Sequence, residues 1–257
     1  MSRQYQIIGE QIGQHIDQEG YQPGDRLPTE REYAERFEVS RTVVREAFIM
    51  LELAGRVEVR KGSGTYVCDD IAPAVRSLTD AAATRPEDIG PFELLRARQV
   101  IESATAAASA AVITPADIRA LSDMLMRERE ALADSTGGRE LLNAPDQADQ
   151  AFHLLIARAS QNTLLLEAVT RLWEQRDRSQ MWRRLHGRIM DFSYRRCWLS
   201  DHEKILACLK KRDQNGAHQA MWAHLDHVMR MLFDLSDTDD PGFDGYLFTQ
   251  APGHATR

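Results

Sequence analysis

Between Leu27 and Cys68 the chain switches from helical to alternating apolar spacing within one short, punctuated run, and few folds accept that order. "LPTERE" opens a helix, with Thr29 placed to cap it and Glu32, three residues on, completing a capping box. Tyr33, Ala34 and Phe37 form its inward face, and it stops near Glu38. Ser40 caps a further helix over 41–54, with Val44, Ala47, Phe48 and Leu51 as core stripe and Gly55 as its end. "RVEVR" then alternates like a strand, "KGSG" turns and "TYVC" returns. Upstream, Tyr5, Ile8, Ile12 and Ile16 repeat at helical spacing until "GYQPGD" closes that helix. Three helices and a two-stranded wing predict a winged helix-turn-helix over 1–68.

Charge tests the obvious use of such a unit. The whole chain carries −7, and residues 1–68 hold nine Lys/Arg against eleven Asp/Glu, a net of −2. Bulk charge therefore argues against DNA, but local charge argues for it: from Arg41 to Lys61 there are five basic residues and three acidic ones. Arg41 and Arg45 are one turn apart and share a helix face opposite Ala47 and Leu51. Arginine can bond guanine bidentately in the major groove, and Thr42 beside it can touch a phosphate or a thymine methyl. Arg60 and Lys61 at the wing tip can reach the neighbouring backbone or the minor groove. The competing reading is a solvated charged face on a small helical domain. The order of cap, turn, helix and wing favours DNA.

Residues 69–90 read as a linker with weak patterning and two prolines, with a third directly after it at 91. From Phe92 to about Leu235 nearly everything is helical in period, "ADSTGGRELLNAPDQ" excepted, which reads as a loop. The expected fold is mainly α, with a C-terminal antiparallel bundle of six or seven helices over 91–236. Residues 237–257 read as a loop-like tail. No apolar run of membrane-spanning length and no signal-peptide pattern is present, so a soluble cytoplasmic protein is expected. Cys68, Cys197 and Cys208 fall at no metal or redox spacing and read as ordinary thiols.

The bundle carries a constellation of its own. Asp149 and His153 are four apart on a face with Phe152, Ile156 and Ser160. His202 lies in line with Ile205, Leu206 and Leu209, and His224 with Ala220, Met221, Val228 and Met231. His218 and His227 fall off that stripe. A single histidine on an apolar face is usually a satisfied core residue. Three of them with an aspartate suit a divalent metal, zinc first and nickel or manganese as well. Arg98 lies inward with Leu94, Ile101 and Thr105 and needs an anionic partner. That partner is either Glu102, one turn on, or the carboxylate of a bound effector. Trp173, Trp182, Trp198 and Trp222 can form a stacking wall for a sugar, although core packing is the simpler role.

The stretch "GDRLPTEREYAERFEVSRTVVREAFIMLELAGRVEVRKGSGTYV" resembles the winged-helix domain of the GntR superfamily of bacterial transcription regulators over essentially all of 5–67. The resemblance implies that Arg31, Arg41, Arg45, Lys61 and Gly62 contact DNA, with Ser40, Thr42 and Arg60 beside them. It also implies a homodimer on a palindromic operator. The 92–235 region is similar to the all-helical effector (FCD) domain of the FadR-like branch. There Asp149, His153, His202 and His224 match the metal positions of members whose metal coordinates a small carboxylate. Other members of the branch lack the metal and bind acyl chains. The position of Arg98 implies an effector clamp, and Asn162 matches a polar pocket position. "TVVREAFIMLE", "GPFELLRARQVIES", "AMWAHLDHV" and "FDGYLF" resemble repressors of hexuronate-catabolism operons, which implies a uronate-type sugar acid as effector. Gluconate, lactate or the metal itself are the alternatives within this architecture. A three-His, one-Asp site can also activate water. No separate residue serves as general base, so a hydrolase is not the expectation.

Overall fold

A computed structural model describes residues 3–60, 62–68, 88–133, 144–186 and 194–236. Lys61, most of the expected linker and the tail from 237 lie outside them. The chain divides into two compact units, one of Met1–Gly90 with Phe233–Arg257 and one of Pro91–Leu232.

In the first unit α1 (Gln4–Glu19), α2 (Glu30–Phe37) and α3 (Arg41–Leu53) precede β1 (Val57–Arg60) and β2 (Gly64–Val67). The capping box starts α2: Thr29 Oγ1 accepts from the Glu32 amide at 3.3 Å, and Glu32 Oε2 accepts from the Thr29 amide at 2.7 Å. Glu38 ends it in the left-handed region, φ 54°, with its N–H on the Ala34 carbonyl. Ser40 occupies the cap position of α3, but its hydroxyl bonds Thr42 Oγ1 at 2.8 Å instead of a helix amide. Ile8, Ile12 and Ile16 of α1 bury with Tyr33, Val44, Ala47, Phe48 and Leu51. Each such aliphatic or aromatic side chain contributes about 1.5–3 kcal/mol relative to exposure. Gly9 of α1 faces α3, with the flexible end of Met50 packed over it.

The wing pairs antiparallel with Val57 opposite Val67 and Arg60 opposite Gly64. A third short edge comes from the segment before α2, where Arg26 bridges Tyr66. Leu27 N–H donates to the Thr65 carbonyl at 2.8 Å and Val67 N–H to the Asp25 carbonyl at 2.9 Å. The sequence pattern reads these residues as loop.

The second unit contains, among the described residues, seven helices: α4 (Pro91–Val112), α5 (Pro115–Ala133), α6 (Ala144–Ala159), α7 (Thr163–Arg178), α8 (Gln180–His186), α9 (Tyr194–Lys210) and α10 (Gln214–Leu235), the last of which counts with the first unit from Phe233 on. Of the expected loop, the end from Ala144 belongs to α6, and residues 134–143 lie outside the described residues. A proline in a first helical turn is tolerated, its missing N–H being one of the unpaired ones. α4 is the spine, packed on α6, α7, α8 and α9. Small residues on it, Ala106, Ser109 and Ala110, are buried and let the neighbours approach. Ser109 Oγ donates to the Ile156 carbonyl of α6 at 2.5 Å. Phe92, Leu94 and Leu95 of α4 are buried, as are Leu121, Phe152, Trp173, Leu209 and Leu225 from the other helices. No helix among the described residues is long and apolar enough to cross a membrane.

Candidate metal centre and DNA-binding surface

The helical pattern that buries the second unit also turns four donor side chains to one point. Asp149 and His153 come from successive turns of α6, His202 from α9 and His224 from α10. Their exposures are 7, 2, 0 and 1 %. One ligand atom from each lies within 4.8 Å of all the others. Asp149 Oδ1 is 3.3 Å from His202 Nε2 and 3.5 Å from His153 Nε2. Asp149 Oδ1, His153 Nε2, both ring nitrogens of His202 and His224 Nδ1 have no hydrogen-bond partner. A buried polar atom left so costs about 1–3 kcal/mol. Three of them, Asp149 Oδ1, His153 Nε2 and His202 Nε2, converge, which is what a divalent metal satisfies, and three imidazoles with one carboxylate are a donor set such ions take. The residues fit the metal.

Carboxylates stand behind the histidines. His153 Nδ1 hydrogen-bonds Glu102 Oε2 on α4. Glu128 Oε2 lies 3.7 Å from His202 Nδ1, and Asp201 Oδ2 lies 3.8 Å from His224 Nδ1. Asp201 also accepts from His227 Nδ1 at 2.9 Å and from Lys204 at 2.7 Å. These partners fix ring orientation and tautomer in metal sites. The electrostatics are correspondingly polarised. Burial disfavours the charge on Glu102, yet Arg98 and His153 hold its carboxyl down at about 2. Asp149 is likewise held well below its usual range against burial, by His153 and His202. Burial alone would lower His202, but Asp149 and Glu128 raise it to about 9. Burial, reinforced by His202 and His153 and only partly offset by Asp201, lowers His224 to about 3.

Arg98 is buried on α4, and its Nε donates to Glu102 Oε1 at 2.7 Å. Its guanidinium lies 3.9 Å from the ring centre of Trp173, which in turn is 5.4 Å from His153. Asn162 stands at the N-cap of α7. It is exposed, and its Oδ1 caps α7 by accepting from the Leu164 and Leu165 amides at 3.0 and 3.2 Å. Trp173, Trp182 and Trp198 are buried in the unit, and only Trp222 of the four is exposed.

On the winged helix the arginines separate. Arg31 is exposed and pairs with Glu35 at 3.0 Å. Ser40 is exposed, and Thr42 is half-buried beside it. Arg41 is partly exposed and lies 3.6 Å from Glu30. Arg45, expected on the same face, is 0 % exposed. Its Nε and Nη2 grip the Glu30 carboxylate at 2.6 to 3.0 Å, and its Nη1 donates to the Phe233 carbonyl and to Ser236 Oγ. Arg60 is exposed on the wing, over the Tyr66 ring and bonded to Glu58 at 2.8 Å. Gly62 turns the wing with φ 67°, a conformation that favours glycine.

Glu128, Asp201 and His227 were missed from the sequence. Glu128 and Asp201 meet their histidines across helices, where spacing along one helix gives no signal. The cap role of Asn162 did have a signal, an asparagine directly before the run "TLLLEA".

A winged helix-turn-helix in one chain with an all-helical unit that gathers three histidines and an aspartate defines a class, the DNA-binding regulatory protein with an appended helical domain. The chain belongs to the gntR family of bacterial regulatory proteins, which it matches over residues 4–67, and carries an FCD domain over residues 93–227. It is therefore a regulator that binds DNA, not an enzyme. It is 45% identical to the Uxu operon regulator of Haemophilus influenzae, over 98% of this chain and 90% of that one. It is 44% identical to the Uxu operon transcriptional regulator of Escherichia coli, over 97% and 95%. Identity to the Exu regulon transcriptional regulator of Escherichia coli is 39%, over 97% and 93%.

Proposed function

We propose that this protein is a cytoplasmic homodimeric repressor of hexuronate-catabolism genes, released from a palindromic operator when a uronate-type sugar acid binds in the helical unit. The observation that carries the reading is identity of 39 to 45% to the Uxu and Exu regulators along nearly the whole chain. The intact cluster of Asp149, His153, His202 and His224 supports an anionic effector. A divalent ion held there, zinc foremost, would offer Lewis-acidic positions to carboxylate and hydroxyl oxygens and leave net positive charge beside Asp149. Arg98 then takes the effector carboxylate. Asn162 commits its carbonyl oxygen to the α7 cap, so it would meet a hydroxyl of the effector only through its Nδ2 amide hydrogens.

On DNA, Arg41 reads base edges from the α3 N-terminus with Ser40 and Thr42 alongside, and Arg31, Arg60, Lys61 and Gly62 hold the phosphates. For Arg45 to take part, a phosphate or base edge must displace the Phe233 carbonyl and the Ser236 hydroxyl, while Glu30 can stay. The effector acts only by binding the DNA-incompetent state more tightly than the competent one.

The test is fluorescence anisotropy on promoter DNA from uronate-catabolism genes, with sugar acids titrated into the complex. Release by fructuronate, glucuronate or galacturonate, with gluconate and lactate inert, is the expected result. Binding without release by any uronate would overturn the effector assignment and leave the DNA role standing. Arg41→Ala should lower discrimination against a mutated operator by about 1–3 kcal/mol, and unchanged discrimination would remove Arg41 from base reading.

A further inference from the structure

We propose that Glu102 is a positioning residue that sets the metal ligand His153 and the anion clamp Arg98 together, so that one carboxylate aligns both halves of the effector site. This rests on the reading above, that a metal and a carboxylate effector occupy the bundle.

The geometry is specific to Glu102. Its two oxygens serve two site residues: Oε1 accepts from Arg98 Nε at 2.7 Å, and Oε2 is bonded by His153 Nδ1. The side chain is 2 % exposed, so water does not compete for those oxygens. A proton on His153 Nδ1, donated to Glu102, leaves the lone pair on Nε2, the atom that faces Asp149 and has no hydrogen-bond partner. The tautomer that can ligate is thus chosen by Glu102. At the other end, the bond on Arg98 Nε is the one hydrogen bond Arg98 makes among the described residues. It occupies the side edge of the guanidinium and leaves the Nη1–Nη2 edge to meet a carboxylate with two parallel bonds. The guanidinium lies over the Trp173 ring, 3.9 Å from its centre.

The other two carboxylates behind the cluster do not share this arrangement. Glu128 approaches His202 at 3.7 Å, and Asp201 approaches His224 at 3.8 Å while its hydrogen bonds go to His227 and Lys204. Among the described residues, Glu102 alone bonds both a candidate metal ligand and a candidate effector clamp.

The experiment compares wild type, Glu102→Gln and Glu128→Gln as full chains. Zinc affinity is read by competition between metal-free protein and a chromogenic chelator. Sugar-acid affinity is read by calorimetry at saturating zinc, with whichever of glucuronate, galacturonate and fructuronate wild type binds most tightly. Glu102→Gln should lose about tenfold to a hundredfold in zinc affinity. It should also lose about tenfold or more in sugar-acid affinity at saturating zinc. Glu128→Gln should weaken zinc alone. If Glu102→Gln does not fold, Glu102→Asp, which keeps the charge and shortens the reach, should be weaker than wild type in both readouts. Wild-type sugar-acid affinity in the folded Glu102 variant, or an equal loss in Glu128→Gln, overturns the proposal. Wild type that takes up no zinc, or when loaded binds none of the three acids, overturns the parent reading as well, and the wild-type titrations show this before any variant is compared.

Discussion

Each unit buries one arginine against one glutamate, and the two pairs end differently. Arg45 commits Nε, Nη1 and Nη2 to protein atoms: Glu30, the Phe233 carbonyl and Ser236. Arg98 commits only Nε, and Glu102 passes the connection on to His153, beyond which lie ring nitrogens and a carboxylate oxygen with no partner. The first pair is closed upon itself. The second is the near end of a chain that stops at unsatisfied ligand atoms. Burial alone does not separate structure from function here, since both pairs are almost wholly buried. What separates them is whether the polar groups are used up.

The largest effect should come from breaking the closed pair. Glu30→Gln leaves the Arg45 charge buried without its counter-ion and should destabilise the first unit by about 3–5 kcal/mol. Hydrogen-exchange protection of α2 and α3 amides measures it, and adding Arg45→Met should recover much of the loss. An undiminished protection in Glu30→Gln would mean that the pair is not what holds this face together.

The open chain should respond to metal instead. With zinc at a hundred times its dissociation constant, the second unit should gain about 2.7 kcal/mol. Chelation should remove that gain from the α6, α9 and α10 amides while leaving α1 to α3 unaffected. His202→Ala should abolish the difference between loaded and stripped protein, and a persisting difference would place the ion elsewhere.

The smallest effect concerns a third buried network. His15 Nδ1 donates to the Tyr33 hydroxyl at 2.9 Å, and its Nε2 accepts from Arg36. Burial first and Arg36 second lower its pKa, so the folded form holds it neutral. Above about pH 6.5 folded and unfolded chains are both neutral at this residue, and the network contributes in full. As the pH falls from there toward the lowered folded value, the unfolded chain takes the proton first and stability is lost. Protection of α1 and α2 amides should therefore decline between about pH 7.5 and 5.5, about one unit either side of the free-histidine value, and His15→Gln should flatten that decline.

Local chemistry was legible in the sequence and long-range closure was not. The capping box of Thr29 and Glu32 needs only four consecutive residues and is present as read. The i, i+4 rule put Asp149 with His153, and the apolar stripes carried His202 and His224 inward to meet them. The same rule put Arg45 on the face of Arg41, but the groups that bury it, Phe233 and Ser236, stand 188 and 191 residues on, where no periodicity reaches. The third edge of the wing was missed for a related reason. Arg26 meets Tyr66 through backbone groups, which leave no mark on side-chain pattern.

Trp173 has an optical consequence. Its indole is sealed from water, lies against the Arg98 guanidinium and stands beside His153. Indole emission follows its immediate polarity and nearby charge, so this one ring views both ends of the Glu102 connection at once. Trp222 is exposed and Trp182 and Trp198 are buried as well, so the difference between wild type and Trp173→Phe isolates the emission of this ring. The protein thus carries its own fluorophore at the junction, and events at His153 or Arg98 can be followed by light without attaching a dye.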